Sequence, residues 1–251
     1  MCQGERSAPF RSATRQAMVP LLLAFFLGSH PTPSPIAMRV VVPLHEPISM
    51  HWRTTNDSVI GNIGTLRTIV EASGGTLLFA MNGGMFDSDH APVGWYVENG
   101  VELHPINRRQ QGYGNFHLQP NGVFGVHADG HAFVRSTEDT YPEEIVAYAT
   151  QSGPMLVVDR AINGLFTPGS NNLYVRNGVG IRANGEVVFG ISLRPINFHD
   201  FANWFIEQGC TDALYLDGSV SKAYIPEAGV EQPDGDLGVL IAVTARTEGT
   251  H

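Results

Sequence analysis

Two residue types are nearly missing from the sequence: it has two cysteines, Cys2 and Cys210, and one lysine, Lys222. Cys2 falls in an N-terminal stretch that reads as a leader, so Cys210 stands alone and an internal disulfide is excluded. A lone cysteine near a helix end reads as a small buried residue rather than a nucleophile. With a single ammonium, anion chemistry must rely on guanidinium forks, backbone N–H groups or that one lysine. Charge is also sparse, at 16% of residues with a net of −9, which argues against a general nucleic-acid surface. Hydrophobic residues at 43%, with 28 Gly and 16 Pro, exclude an acidic disordered tail, a coiled coil and a long-helix protein. No repeat or linker is found, and low complexity is confined to the proline-rich spacer at Pro31 to Pro35.

Long apolar runs are missing too. The longest N-terminal one, Met18 to Gly28, follows Arg6, Arg11 and Arg15 and is roughly 11 residues long, which suits the apolar part of a signal peptide and is too short to span a bilayer. The expected organisation is a leader over residues 1–37 and one domain over 38–251, periplasmic or secreted, with no stable membrane span. Neither Gly28-Ser29-His30 nor Pro35-Ile36-Ala37 offers a clean cleavage site. Loss of the leader, with three arginines against Glu5, takes the net charge to −11. The remaining 210 or so residues suffice for one sizeable core.

Periodicity supplies the elements. Met38 to Pro43 and Ile48 to Trp52 read as strands, while Ile63, Leu66, Ile69 and Val70 recur at helical spacing until Gly74-Gly75. The continuously apolar Thr76 to Met81 reads as a central strand running into Asn82-Gly83-Gly84. Asn99-Gly100, Asp129-Gly130 and Asn184-Gly185 each stand between short apolar runs and predict three hairpins. Asn197 is a good N-cap for a second helix carrying Phe198, Phe201, Phe205 and Ile206 on one face until Gly209. Ala213 to Leu216 reads as a buried strand leading to Asp217-Gly218, and Leu237 to Val243 as the last strand. The expected class is α+β: a hairpin-rich mixed β-sheet with two or three packed helices in a single domain.

Chemistry concentrates where two buried strands end in polar, glycine-rich turns, Phe79 to Phe86 and Leu214 to Ser221, since glycines let a ligand approach backbone N–H groups. Arg176 lies in a strand-like run, where it serves either an anion or a structural ion pair. Asp217 before glycine after a strand is either a functional carboxylate or a turn residue. Asn82 either bonds a sugar or phosphate or caps its own loop. His127 and His131 flank a hairpin without a third zinc ligand at recognised spacing. Ser152, Ser219 and Ser221 lack a nucleophile elbow and an ordered His/Asp set. Trp95, Tyr96 and Tyr113 suit either a sugar-stacking platform or the core.

In register, Asn82-Gly83-Gly84-Met85-Phe86, Asn115-Phe-His-Leu-Gln-Pro-Asn-Gly-Val-Phe-Gly125, Gln151-Ser-Gly-Pro-Met-Leu156, Arg176-Asn-Gly-Val-Gly180 and Leu216-Asp217-Gly218 resemble the phosphodiester glycosidase family. The likeness spans about Ile48 to Pro226 and is strongest to the compact bacterial exported branch, whose last motif runs Leu-Tyr-Leu-Asp-Gly-x-Val-Ser. The animal branch has Asp-Gly-Gly and a serine pair there; here Ser219 replaces the second glycine and Val220 intervenes.

The resemblance implies hydrolysis of a sugar-1-phosphodiester in envelope or extracellular glycans. The leaving phosphate monoester, with a second pKa of about 6, needs charge stabilisation rather than a proton. Arg176, Arg194 or Lys222 and the N–H groups of Gly83, Gly84 and Gly218 are the candidates to supply it. Asp217 is the first choice for the carboxylate at the anomeric carbon, with Asp87 and Asp200 behind it. Asp217, Arg176 and Asn82 form the expected catalytic set; Gly153, Ser219 and Ser221 join the substrate-binding set. A phosphorylated sugar or glycan is the expected partner, and no metal or other cofactor is implied. The alternatives are a non-catalytic periplasmic carbohydrate- or phosphosugar-binding protein and a serine hydrolase.

Overall fold

The structure, a computed structural model, describes Met1, residues 35–141 and residues 145–246, with Arg246 by its backbone alone. The chain divides into two units, residues 1–33 and 34–251. Apart from Met1 the first unit, and with it nearly all of the expected leader, lies outside the described residues. Every described strand and helix belongs to the second unit.

Its strands, in chain order, are β1 (Ile36–Val41), β2 (Ile48–His51), β3 (Gly75–Asn82), β4 (Tyr96–Glu98), β5 (Val101–His104), β6 (Gly122–His127), β7 (Ala132–Ser136), β8 (Val146–Ser152), β9 (Met155–Val158), β10 (Ala161–Ile162), β11 (Asn177–Arg182), β12 (Val187–Ser192), β13 (Cys210–Tyr215), β14 (Ala223–Ile225), β15 (Val230–Glu231) and β16 (Leu240–Arg246). The helices are α1 (Ile63–Ala72) and α2 (Phe198–Glu207). Ile36 and Ala37, which the sequence pattern places in the leader, are buried residues of β1. The last strand begins three residues later than periodicity places it, because Leu237 is buried in a loop and donates its N–H to the Gly61 carbonyl.

The α+β class is as expected, but the sheet is not one mixed sheet. The strands form three sheets in the orders β1-β12-β11-β13-β9-β10, β15-β14-β3-β16-β2 and β5-β4-β8-β6-β7, and every described pairing in them is antiparallel. The physical reason is the connections: short turns return a chain antiparallel, whereas parallel pairing needs a long crossover. The three predicted hairpins are β4–β5, β6–β7 and β11–β12. Asn99 and Gly100 adopt φ of 51° and 77°, the left-handed geometry that a two-residue turn demands of both positions.

Phe189 of β12 joins the three sheets: its ring centroid is 4.6 Å from that of Phe79 in β3 and 5.7 Å from that of Phe124 in β6. All three rings are fully buried, and burial of each contributes about 1.5–3 kcal/mol. Helix α1 covers the β3 sheet with Ile63, Leu66 and Val70, while Ile69, at the edge of that stripe, is exposed. Helix α2 starts at Asn197, whose side chain accepts from the Asp200 N–H, and lays Phe201, Ala202 and Phe205 on β9, β12 and β13. Strand β3 is the middle strand of its sheet, and its C-terminal residue, Asn82, arrives where β11 starts and β13 ends.

Candidate active site

Asn82 ties the two sheets together at this point. Its Nδ2 donates to the Asp217 carbonyl at 2.9 Å, while its Oδ1 accepts from Asn177 Nδ2 at 3.0 Å and from the Lys222 N–H at 2.9 Å. The two strand ends whose glycine-rich turns carry the expected chemistry therefore meet. Asn177, fully buried at the start of β11, is not among the expected site residues, although it follows Arg176 in the same motif. Ser221 Oγ lies 3.3 Å from both Asn177 Oδ1 and the Asp217 carbonyl, and Ser152 Oγ donates to the Leu216 carbonyl. The 217–221 turn is thus held in part through the carbonyls of Leu216 and Asp217.

That carboxylate accepts the Ser219 N–H at 3.0 Å through Oδ1, and Oδ2 has no hydrogen bond among the described residues. Asp217 is 8% exposed. Burial raises its pKa above the ordinary carboxylate value, and the Ser219 N–H opposes that only in part.

Arg176 is completely buried without a carboxylate partner among the described residues. Its Nε donates to the Ile196 carbonyl at 2.8 Å, and its Nη2 to the carbonyl and Oδ1 of Asn172 at 3.0 and 2.8 Å. Three rings surround the guanidinium: Phe198 at 3.6 Å, Tyr215 at 5.4 Å and Tyr174 at 5.5 Å. Burial lowers its pKa, and Tyr215 and Tyr174 oppose the shift. A guanidinium still stays charged at any working pH, so positive charge stands here among neutral neighbours.

Beside this charge opens a cavity of about 450 Å³ lined by Asn115, Asn172, Tyr174, Tyr215, Gly218 and Ser219. Asp217 and Arg176 are not in its lining but adjoin it, Asp217 through the next two residues and Arg176 through Asn172, Tyr174 and Tyr215. Sequence reasoning misses Asn172, Tyr174 and Tyr215 because an aromatic in an apolar run reads as core. The usable signal is spacing, since each tyrosine stands two residues before the charged residue of its motif.

Other expected site residues are engaged elsewhere. The N–H of Gly83 donates to the Val239 carbonyl at 2.8 Å and that of Gly84 to Thr150 Oγ1 at 3.1 Å, so neither is free for a ligand. A Cβ on Gly84 would lie 2.3 Å from the Gln151 carbonyl oxygen, and one on Gly153 2.7 Å from Asn121 Nδ2; these glycines serve close packing. The Lys222 ammonium pairs with Asp234 at 3.1 Å, and Arg194 is exposed between β12 and α2. Asp87 accepts the N–H groups of Asp89 and Ala91 in its own turn, and Asp200 closes the first turn of α2 with Asn197. Trp95 and Tyr96 are core residues bonded to Glu102 and Glu98, and Tyr113 is fully exposed, so they form no platform. The His127 ring packs at a tilt against that of Phe133, and among the described residues no three His, Cys, Asp or Glu side chains converge as a metal site. No described hydrogen bond joins a histidine to Ser152, Ser219 or Ser221. Cys210 is buried, and burial pushes its thiol up to about 12, as expected of an inert residue.

Residues 75–244 match the family profile described as phosphodiester glycosidase. The uncharacterized protein YigE of Escherichia coli (strain K12) is 38% identical over 186 residues, which cover 74% of this chain and 72% of YigE. The structure is similar to the zebrafish N-acetylglucosamine-1-phosphodiester alpha-N-acetylglucosaminidase catalytic domain, auto-inhibited by its pro-peptide, with a TM-score of 0.57 and 14% identity over 85% of each chain. It is also similar to a hypothetical protein from Synechocystis, with a TM-score of 0.53 and 13% identity over 84% of this chain and 59% of that one. At such identities the two structural likenesses concern the fold alone.

Proposed function

The chain belongs to the phosphodiester glycosidase family, and from that premise we propose that it is an exported hydrolase of sugar-1-phosphodiesters in envelope or extracellular glycans. One observation carries the reading: the completely buried Arg176, without a carboxylate partner among the described residues, adjoins a polar cavity that the buried acid Asp217 also adjoins. A cation so placed favours an anionic ligand. Cleavage breaks the bond between the anomeric carbon and the phosphate oxygen, the electron pair leaves with the phosphate monoester, and water adds its hydroxyl to the anomeric carbon and loses its other proton to the phosphate or to solvent. The Arg176 charge stabilises the departing phosphate. Asp217 is the carboxylate for the electron-deficient anomeric carbon, and Asn82 holds the turn that carries it.

A screen of sugar-1-phosphodiesters for released reducing ends tests the activity, with Asp217→Asn as control. Turnover by the wild type and a fall of on the order of 10² or more in the variant are expected. Sugar binding by calorimetry without release of reducing sugar would instead make the protein a binding module. Export rests on the basic stretch and the short apolar run before residue 35. Fractionation of a C-terminally tagged chain should recover it outside the cytoplasm, and a full-length cytoplasmic product overturns the idea.

A further inference from the structure

Arg176 has a positive charge but no clear route to a ligand. Its Nε and Nη2 are committed to Ile196 and Asn172, and it does not line the cavity. Tyr215, the last residue of β13, does line it. The Tyr215 ring stands edge-on to Phe198 at 4.8 Å and 85°, and Phe198 carries the guanidinium on its face. The ring is thereby fixed from behind. Its hydroxyl lies against Gly218, where a Cβ would come within 1.5 Å of the phenolic oxygen. The residue after Asp217 must therefore lack a side chain for the hydroxyl to stand where it does. The Arg176 guanidinium stands 5.4 Å from the centre of the Tyr215 ring, and Asn115 lines the same cavity.

We propose that Tyr215 is the anion contact of this cavity: its hydroxyl donates to a non-bridging phosphate oxygen of the substrate, and Arg176 is a positioning residue that acts through that hydroxyl. A phenolic hydroxyl can give its proton to an anion, and a guanidinium charge beside the ring favours the stronger, charge-assisted kind of bond. The proposal rests on the glycosidase reading for the identity of the substrate and not for the contact itself.

Tyr215→Phe removes the oxygen and keeps the ring. By calorimetry with inorganic phosphate as probe, the variant is expected to bind at least tenfold more weakly than wild type at an unchanged melting temperature, with a similar fall in kcat/KM on any phosphodiester the wild type cleaves. Arg176→Lys is expected to weaken phosphate binding in the wild-type background and to add little in the Tyr215→Phe background, a coupling that a purely structural arginine would not show. Gly218→Ala, whose methyl would displace the hydroxyl, provides a second variant with the same expected loss. The contact is overturned if the wild type binds no phosphate, if Tyr215→Phe binds it as the wild type does, or if the Arg176→Lys penalty is equal in both backgrounds. Tyr215-dependent phosphate binding without hydrolysis of any phosphodiester would leave the contact standing and remove the glycosidase reading; hydrolysis undiminished in Tyr215→Phe would do the reverse.

Discussion

Asp217 shows what a buried carboxylate costs the protein that keeps it. Because burial raises its pKa above that of the unfolded chain, the folded state holds its proton more tightly. The associated stability is fully present below the unfolded value, about 3.9, and is lost as pH rises through the raised folded one. At neutral pH the ionised side chain therefore destabilises the fold. Asparagine has the same shape and no charge, so Asp217→Asn is expected to melt higher than wild type at pH 7, with the difference shrinking toward pH 4, while its turnover falls. Equal melting at both pH values together with full activity would make Asp217 a turn residue. Its place is legible because a buried strand ending in Leu-Asp-Gly is a local pattern. The engagement of the Gly83 and Gly84 N–H groups is not, since their acceptors, Val239 and Thr150, are distant in sequence.

The same division holds among the elements. Hairpins are written into short turns with a glycine at positive φ, and helices into stripes and caps, so these are legible. The separation into three sheets depends on pairings such as β1 with β12 and β3 with β16, which no local signal encodes. Glycines explain one such long-range fit. Gly178 and Gly190 lie opposite each other on β11 and β12, Gly180 follows on β11, and Cβ atoms on Gly178, Gly190 and Gly180 would come within 3.2, 2.5 and 2.8 Å of Phe205, Trp204 and Phe205 respectively. In sequence they look like weak points in strands; in the fold they are the seat of α2. Gly190→Ala is expected to cost about 1–3 kcal/mol through overpacking, read as a lower denaturant midpoint at unchanged slope. An unchanged midpoint would show that α2 is seated by other contacts.

At the scale of the whole molecule the buried guanidinium and its surroundings differ in sign. The three sheets around Phe189 bring the ends of β3, β11 and β13 together, so the one completely buried cation among the described residues, Arg176, sits in a chain whose net charge is −9. On the proposed function, an anionic phosphodiester approaching from solvent meets the net field first and the local charge only on arrival. Salt separates the two effects, because a Debye length of about 10 Å at 0.1 M screens the approach, whereas a buried cation beside its ligand is screened far less. Raising ionic strength from roughly 0.01 to 0.15 M is therefore expected to increase kcat/KM by about two- to fivefold while leaving kcat unchanged, the opposite of the usual steered encounter. Initial rates at low and at saturating substrate across that range measure both. A kcat/KM that falls with salt would mean that cations near the cavity mouth already outweigh the acidic body and draw the substrate in from a distance.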